Sequence, residues 1–372
     1  MEKMLCVLPP EVIDFLFHFI DDGKTYKAIL ETCKYFYNGH KGRKRSFCNQ
    51  LWTLITKYPN KPWNWHQISK NRNTTMEFIE KHPEKPWNWH AISANPNITM
   101  EIIDKYPDMK WRWYQISENP NITMEIIEKH MSTNPYGHPE KDWNWGGISA
   151  NHNLTMEFVE KHMGTDPQGY PEKEWDWEYI SANANITMEF IEKHSRGNPY
   201  GYPEKDWDWY WISCNPNITT EIIEKYPEKD WNWYQISQNP NITMEFIEKY
   251  PEKGWNWVGI SKNPNITMEI IEKHPEKNWN WVGISQNPNI TMEFIENHPC
   301  LPWDWAWISE NPNITIEIIE EHPEKPWVWH YISRNPNITA DFIEKHLGAD
   351  PQGYPEKDWN WGLISENKFK VR

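Results

Sequence analysis

The motif Trp-x-Trp occurs twelve times, with its first Trp at 63, 87, 111, 143, 175, 207, 231, 255, 279, 303, 327 and 359. Successive copies lie 24 or 32 residues apart, so every departure from the period is one insertion of eight residues. A chain that keeps one phase over roughly 300 residues does not fold as a mixed globular domain; it stacks copies of one small unit.

The unit Trp87 to Lys110 generalises to W-N-W-x-x-I-S-x-N-P-N-I-T-M-E-I-I-E-K-[HY]-P-E-K-x. After Thr99 the spacing places Ile102, Ile103 and Tyr106 on one helical face, with Glu101 in the first turn and Lys105 in the last, as the helix dipole favours. Thr99 is the expected N-cap, Ile98 can staple against Ile103, and Pro107 ends the helix. The other segment, Pro86 to Ser93, reads as a short α- or 3₁₀-helix that starts with Pro86 at its first position. It stops near Asn95, because Pro96 disfavours helical geometry there.

One unit cannot fold alone. Two buried Trp contribute roughly 4 to 6 kcal/mol each, against an ordering cost of about 1.5 kcal/mol for every residue of the unit. Stacked neighbours have to supply the rest. The expected fold is all-α: an α-solenoid of twelve 24- or 32-residue two-helix repeats (an α-helix plus a short α- or 3₁₀-helix), preceded by a small N-terminal helical domain. Its interior is a Trp/Ile ladder, and the recurring Asn pairs (Asn95 and Asn97, Asn119 and Asn121, Asn215 and Asn217) are expected to bond turn backbone between units.

Composition narrows the function. With 38 basic and 53 acidic side chains the net charge is −15, which argues against a phosphate backbone or an anionic membrane surface as partner. The 27 Trp, 17 Tyr and 12 Phe set the chain apart from acidic disordered proteins. No apolar run is long enough to span a bilayer, and neither a secretory segment nor a membrane partner is expected. The five cysteines are scattered and form no CxxC pair, so a reducing, intracellular setting without a zinc site is expected. Nothing resembles a nucleophile motif, a phosphate loop or a paired-carboxylate site; no enzyme activity, cofactor or metal is expected.

Several recurring residues invite chemistry and have plainer readings. The helix-ending position holds His (82, 130, 162, 194, 274, 298, 322 and 346) or Tyr (106, 226 and 250), an exchange that packing tolerates and a metal ladder would not. The Asn-x-Thr sequons at Asn73, Asn97, Asn121 and onward read as turn and cap residues. The insertions at 131 to 138, 163 to 170, 195 to 202 and 347 to 354 share an Asn/Asp-Pro-x-Gly turn; three are consecutive and would stack Tyr136, Tyr170, Tyr200 and Tyr202 into a ridge.

Binding is better supported. The two residues after each Trp-x-Trp vary while their flanks do not, which suggests freedom from packing, and a solenoid presents such positions as a stripe. Tyr114, Tyr179, Tyr210, Trp211, Tyr234, Trp307, His330 and Tyr331 are the candidate target-binding residues, since aromatics with polar tips suit protein recognition. Neutral surface drift and carbohydrate binding by exposed Trp are the alternatives.

The pattern N-P-N-x-T-x-E-x-[IL], seen in ANPNITMEII and KNPNITMEII, resembles the leucine-rich variant repeats, whose architecture alternates an α-helix with a 3₁₀-helix. That family's iron–sulfur cysteine cluster is missing, so the resemblance implies the architecture and no cofactor. The Trp-rich units also resemble repeats in proteins of giant viruses of amoebae. Ahead of them, residues 1–47 form a different domain and 48–62 a linker and half repeat that start the 63–372 array. LPPEVIDFLFHFIDDGKTYKAILETCKYFYN resembles the F-box through Leu8, Pro9, Glu11 and Cys33-Lys34-Tyr35-Phe36. F-box helices dock on Skp-family adaptors of cullin ubiquitin ligases, so the resemblance makes Leu8, Pro9, Val12, Ile13, Leu16, Ile20 and Ile29 partner-facing. It implies an intracellular adaptor, in the host cytoplasm if the chain is viral, whose solenoid recruits a protein target. The alternative is a scaffold or virion-associated repeat protein whose N-terminal domain caps an open end.

Overall fold

The structure, a computed structural model, describes residues 49–131, 141–163, 173–195, 205, 207–348 and 357–369. The F-box-like residues Leu8 to Ile29 and most of the four insertions lie outside the described residues. Twenty-four helices and no strand occur among the described residues, alternating between a Trp-led and a mostly Met-led type. The chain is an α-solenoid of repeated two-helix units.

Each helix begins where a side chain can satisfy its first N–H groups. Thr99 caps its Met-led helix as expected, accepting from the Ile102 amide. The Trp-led helix starts later than expected, at Trp89 and not at Pro86, because Asn88 is its N-cap and accepts from the Ala91 amide. Trp87 therefore lies in the extended stretch before the helix, pinned by its indole N–H, which donates to the His82 carbonyl at 2.8 Å. The central residue of W-N-W is a capping residue, which explains why Asp replaces Asn at 176, 208 and 304.

Between units three ladders repeat. The buried Asn95 amide donates to the carbonyls of Ser69, Asn71 and Thr74 in the preceding unit. Ser93, fully buried, donates to its own helix at Trp89 and accepts the Arg112 amide of the next unit. The second Trp of each unit meets the first Trp of the next edge to face, as Trp89 and Trp111 do at 5.4 Å. Ile68, Ile92, Ile116 and their equivalents fill the space between the two helix layers with no exposure.

All three ladders return on themselves. Asn71 of the first unit donates to the carbonyls of Ser365 and Asn367 in the last, both at 3.0 Å. The Asn64 amide donates to Ser365 Oγ, and Trp63 packs edge-on against Trp361 at 4.9 Å. The helix Trp361–Glu366 packs on Trp65–Lys70 as most neighbouring Trp-led helices do. The solenoid is a closed ring with no open end among the described residues.

The half repeat explains how the ring closes. The last unit contributes a Trp-led helix and no Met-led helix within the described residues, and Gln50–Lys57 takes the missing place. Gln50 Oε1 accepts the Ala340 amide, and Lys57 pairs with Glu344 at 2.7 Å, on one side of it. On the other side Asn49 donates to the Asn73 carbonyl and Trp52 stacks near Phe78 and Trp87. Residues from opposite ends of the array thus build one unit.

Candidate functional site: the inner wall of the ring

Most neighbouring Trp-led helices pack closely, whereas neighbouring Met-led helices stand further apart except beside Gln50–Lys57. In a closed ring the more tightly spaced layer has the smaller radius, so the Trp-led helices form the inner wall. Glycine marks how close they come: a Cβ on Gly147 would lie 2.5 Å from the Tyr114 carbonyl oxygen, and one on Gly283 would lie 2.8 Å from Ser261 Cβ. With helices in contact ~8–10 Å apart and a helix half-width of ~5–6 Å, twelve around a circle leave a lumen of roughly 19–28 Å.

The variable pair sits on this wall, and its two members differ. The first residue points away from the packing: His66, His90, Glu178, Tyr210, Tyr234, Val258, Val282 and His330 are exposed. The second is not free of packing as expected, because it faces the preceding helix; Ala91, Gly147, Gln235, Gly259 and Gly283 are buried. Trp211, Trp307 and Tyr331 are half-buried for the same reason, while Tyr179 is exposed. Small residues at the second position record a steric limit.

Side chains of different units meet across the wall. The Tyr114 and Tyr179 phenols, two units apart, come close enough to interact over Gly146 and Gly147, which carry no side chain to block them. The neighbouring Tyr179, with burial, holds the Tyr114 phenol well above its ordinary value. Contact between units n and n+2 requires a concave surface, which independently puts the variable positions inside the ring. The Trp211 indole donates to Glu178 at 2.8 Å, and Tyr210 lies edge-on to Trp211 at 5.2 Å. Further round, Trp307 meets Tyr331 at 5.7 Å, Tyr331 meets His330, and Arg334 bridges Glu310 and Glu366. Burial pushes the Glu310 carboxyl up, against the pull of Arg334.

The candidate residues therefore fall into two groups. Tyr114, Tyr179, Tyr210, Trp211 and Tyr234 belong to one arc, and Trp307, His330 and Tyr331 to another. The first arc continues into Val258 and Val282, which sequence reasoning did not single out because neither is aromatic. Tyr179, Tyr210, Tyr234, Val258 and Val282 are 41–56 % exposed and come from five consecutive units. Apart from Met109 they are the exposed large hydrophobic residues among the described residues.

The outer wall has its own regularity. The helix-ending His or Tyr reaches back to a Glu of the preceding unit: His162 to Glu128 at 3.4 Å, His298 to Glu272 at 3.4 Å, and Tyr226 to Glu192 at 3.1 Å. Imidazole and phenol can both donate to that carboxylate, which explains their exchange. Glu296, His322 and Glu324 come within ligand distance of one another, but Lys325 also lies 3.2 Å from Glu296 and 3.7 Å from Glu324. The Lys325 ammonium is itself the cation that these carboxylates face. Asn97 of a sequon donates its amide to the Thr74 carbonyl, so that nitrogen serves the stack.

No helix among the described residues is long and apolar enough to cross a membrane. No family model matches the chain, and no curated protein or solved structure matches it.

Proposed function

We propose that this chain is a non-enzymatic, protein-interaction adaptor that holds a target protein against the inner wall of its ring. The supporting observation is the contiguous arc of Tyr179, Tyr210, Tyr234, Val258 and Val282. A monomer rarely leaves large apolar side chains exposed in adjacent units unless a partner covers them. In this reading residues 1–47 dock on a Skp-family subunit of a cullin ubiquitin ligase, which rests on the resemblance of Leu8, Pro9, Glu11 and Cys33 to Phe36 to the F-box. The setting is intracellular, and the host cytoplasm if the chain belongs to a giant virus.

Affinity purification of the full chain from cells that supply a Skp-family adaptor tests both halves. The adaptor is expected to co-purify with the wild type and to be lost from Leu16→Asp, which puts a charge on the apolar helix face. Replacing Tyr179, Tyr210 and Trp211 together by Ala is expected to weaken target binding by more than about 2 kcal/mol with the adaptor retained. A chain that binds no adaptor through residues 1–47 is instead a scaffold or virion-associated ring.

A further inference from the structure

Twelve Trp-led helices line the ring, and the chain itself connects them across eleven junctions. The twelfth, between Trp361–Glu366 and Trp65–Lys70, is crossed by non-covalent contacts alone. Parting any of the eleven would leave a loop of chain across the gap. Only the twelfth can part into a clear passage.

The contacts around this seam divide in a consistent way. Those that hold Gln50–Lys57 to the first unit are Asn49 to the Asn73 carbonyl and Trp52 against Phe78, His82 and Trp87. Those that cross to the last units are Gln50 to the Ala340 amide, Lys57 to Glu344, Tyr58 and Trp63 against Trp361, Asn71 to Ser365 and Asn367, and Asn73 to the Lys368 carbonyl. The crossing set can break as a group while the helix stays seated on the first unit. At the other junctions a short connection keeps the parted faces at high effective concentration; at the seam, among the described residues, the only covalent tether is the rest of the array.

We propose that the ring opens at this seam, with Gln50–Lys57 as its latch, so that a target lacking a free end can enter the lumen. The latch follows directly on residues 1–48, so whatever binds that segment acts next to it. The inference rests on the closure of the ring and not on the adaptor reading, and it holds whatever occupies the lumen.

Hydrogen exchange of the full chain under native conditions, read at residue resolution, tests it with internal controls. The amide of the residue between the two Trp donates to a Ser Oγ of the preceding unit at Asn64, Asn88, Asn232 and Asn280 alike. Asn64 is expected to exchange at least tenfold faster than the other three. Coupling Lys57 to Glu344 with a zero-length carbodiimide cross-link is expected to bring it back to their rate. Equal rates at all four positions in the unlinked protein would overturn the latch. So would a fast Asn64 that the cross-link leaves fast, since that is fraying of one residue and not opening of the ring.

Discussion

Asn64 and Ser365 stand 301 residues apart in the chain, and the amide of the first donates to the hydroxyl of the second at 3.1 Å. Its counterpart inside the array, Asn88 to Ser69, spans 19 residues at 3.0 Å. The long-range bond is one more rung of a ladder that the repeat makes at every junction. Closure therefore needs no special chemistry, only units whose small rotations sum to one turn.

That closure changes what truncation does. An open solenoid loses stability step by step as terminal units are removed, since each touches only its neighbours. Here, deleting residues 359–372 removes Trp361, Ser365 and Asn367, the partners of Trp63, Asn64 and Asn71 in the first unit. The expected result in urea denaturation is a loss at both ends of the array, larger than removal of one terminal unit from an open stack would give. A small, graded loss on successive C-terminal deletions would speak for an open array.

Trp233 and Trp211 separate structural from surface tryptophan. Trp233 packs edge-on to Trp255 at 5.1 Å, with Lys253 over its face. Trp211 is half-buried and its indole bonds to Glu178. Trp233→Ala is expected to cost about 3–5 kcal/mol and Trp211→Ala clearly less, measured by the shift in urea midpoint at constant slope.

The glycines test the tight inner layer. Gly147→Ala pushes a Cβ to within 2.5 Å of a backbone oxygen, whereas Gly254→Ala meets nothing within 4 Å. The first is expected to destabilise by about 1–3 kcal/mol and the second to stay within about 0.5 kcal/mol of wild type. Similar thermal midpoints for the two variants would mean that the inner helices are not in backbone contact.

Much of this was legible in the sequence. Period, helix pairing, the Thr99 cap and the Asn ladder follow from residues whose partners lie within one unit of them. The Trp-led helix was placed three residues early because Pro86 and Asn88 both signal a helix start, and the amide of Ala91 decides for Asn88. The ring was not legible, because it depends on a rotation per unit that no local motif encodes. A signal did exist: residues 50–62 match the tail of a unit and 359–369 match its head, so the two ends are complementary halves. The second position of the variable pair misled because variation was read as freedom, when Gly147, Gly259 and Gly283 vary toward the small.

Acid should weaken the outer ladder. Burial lowers the pKa of His162, more than the nearby Glu128 raises it, and burial likewise lowers that of His346. A histidine whose folded pKa lies below its unfolded value of about 6.5 contributes fully above that value. Its contribution is lost as the pH falls toward the folded pKa, because the unfolded chain then binds more protons. The urea midpoint is expected to fall between pH 7 and pH 5, and the His162→Gln, His346→Gln double variant to show a shallower fall. An equally steep fall in the double variant would assign the acid sensitivity to other groups.

Closure itself is tested most directly by zero-length cross-linking of the wild-type monomer. Carbodiimide joins a lysine to a carboxylate only when the two are in contact, and Lys57 meets Glu344 at 2.7 Å, the same separation as Lys249 to Glu224 and Lys345 to Glu320 inside the array. The ring predicts that all three links form in the monomeric fraction, with Lys57–Glu344 intramolecular and independent of protein concentration. Formation of the two internal links without Lys57–Glu344, or its appearance only in cross-linked dimers, would contradict the closed ring.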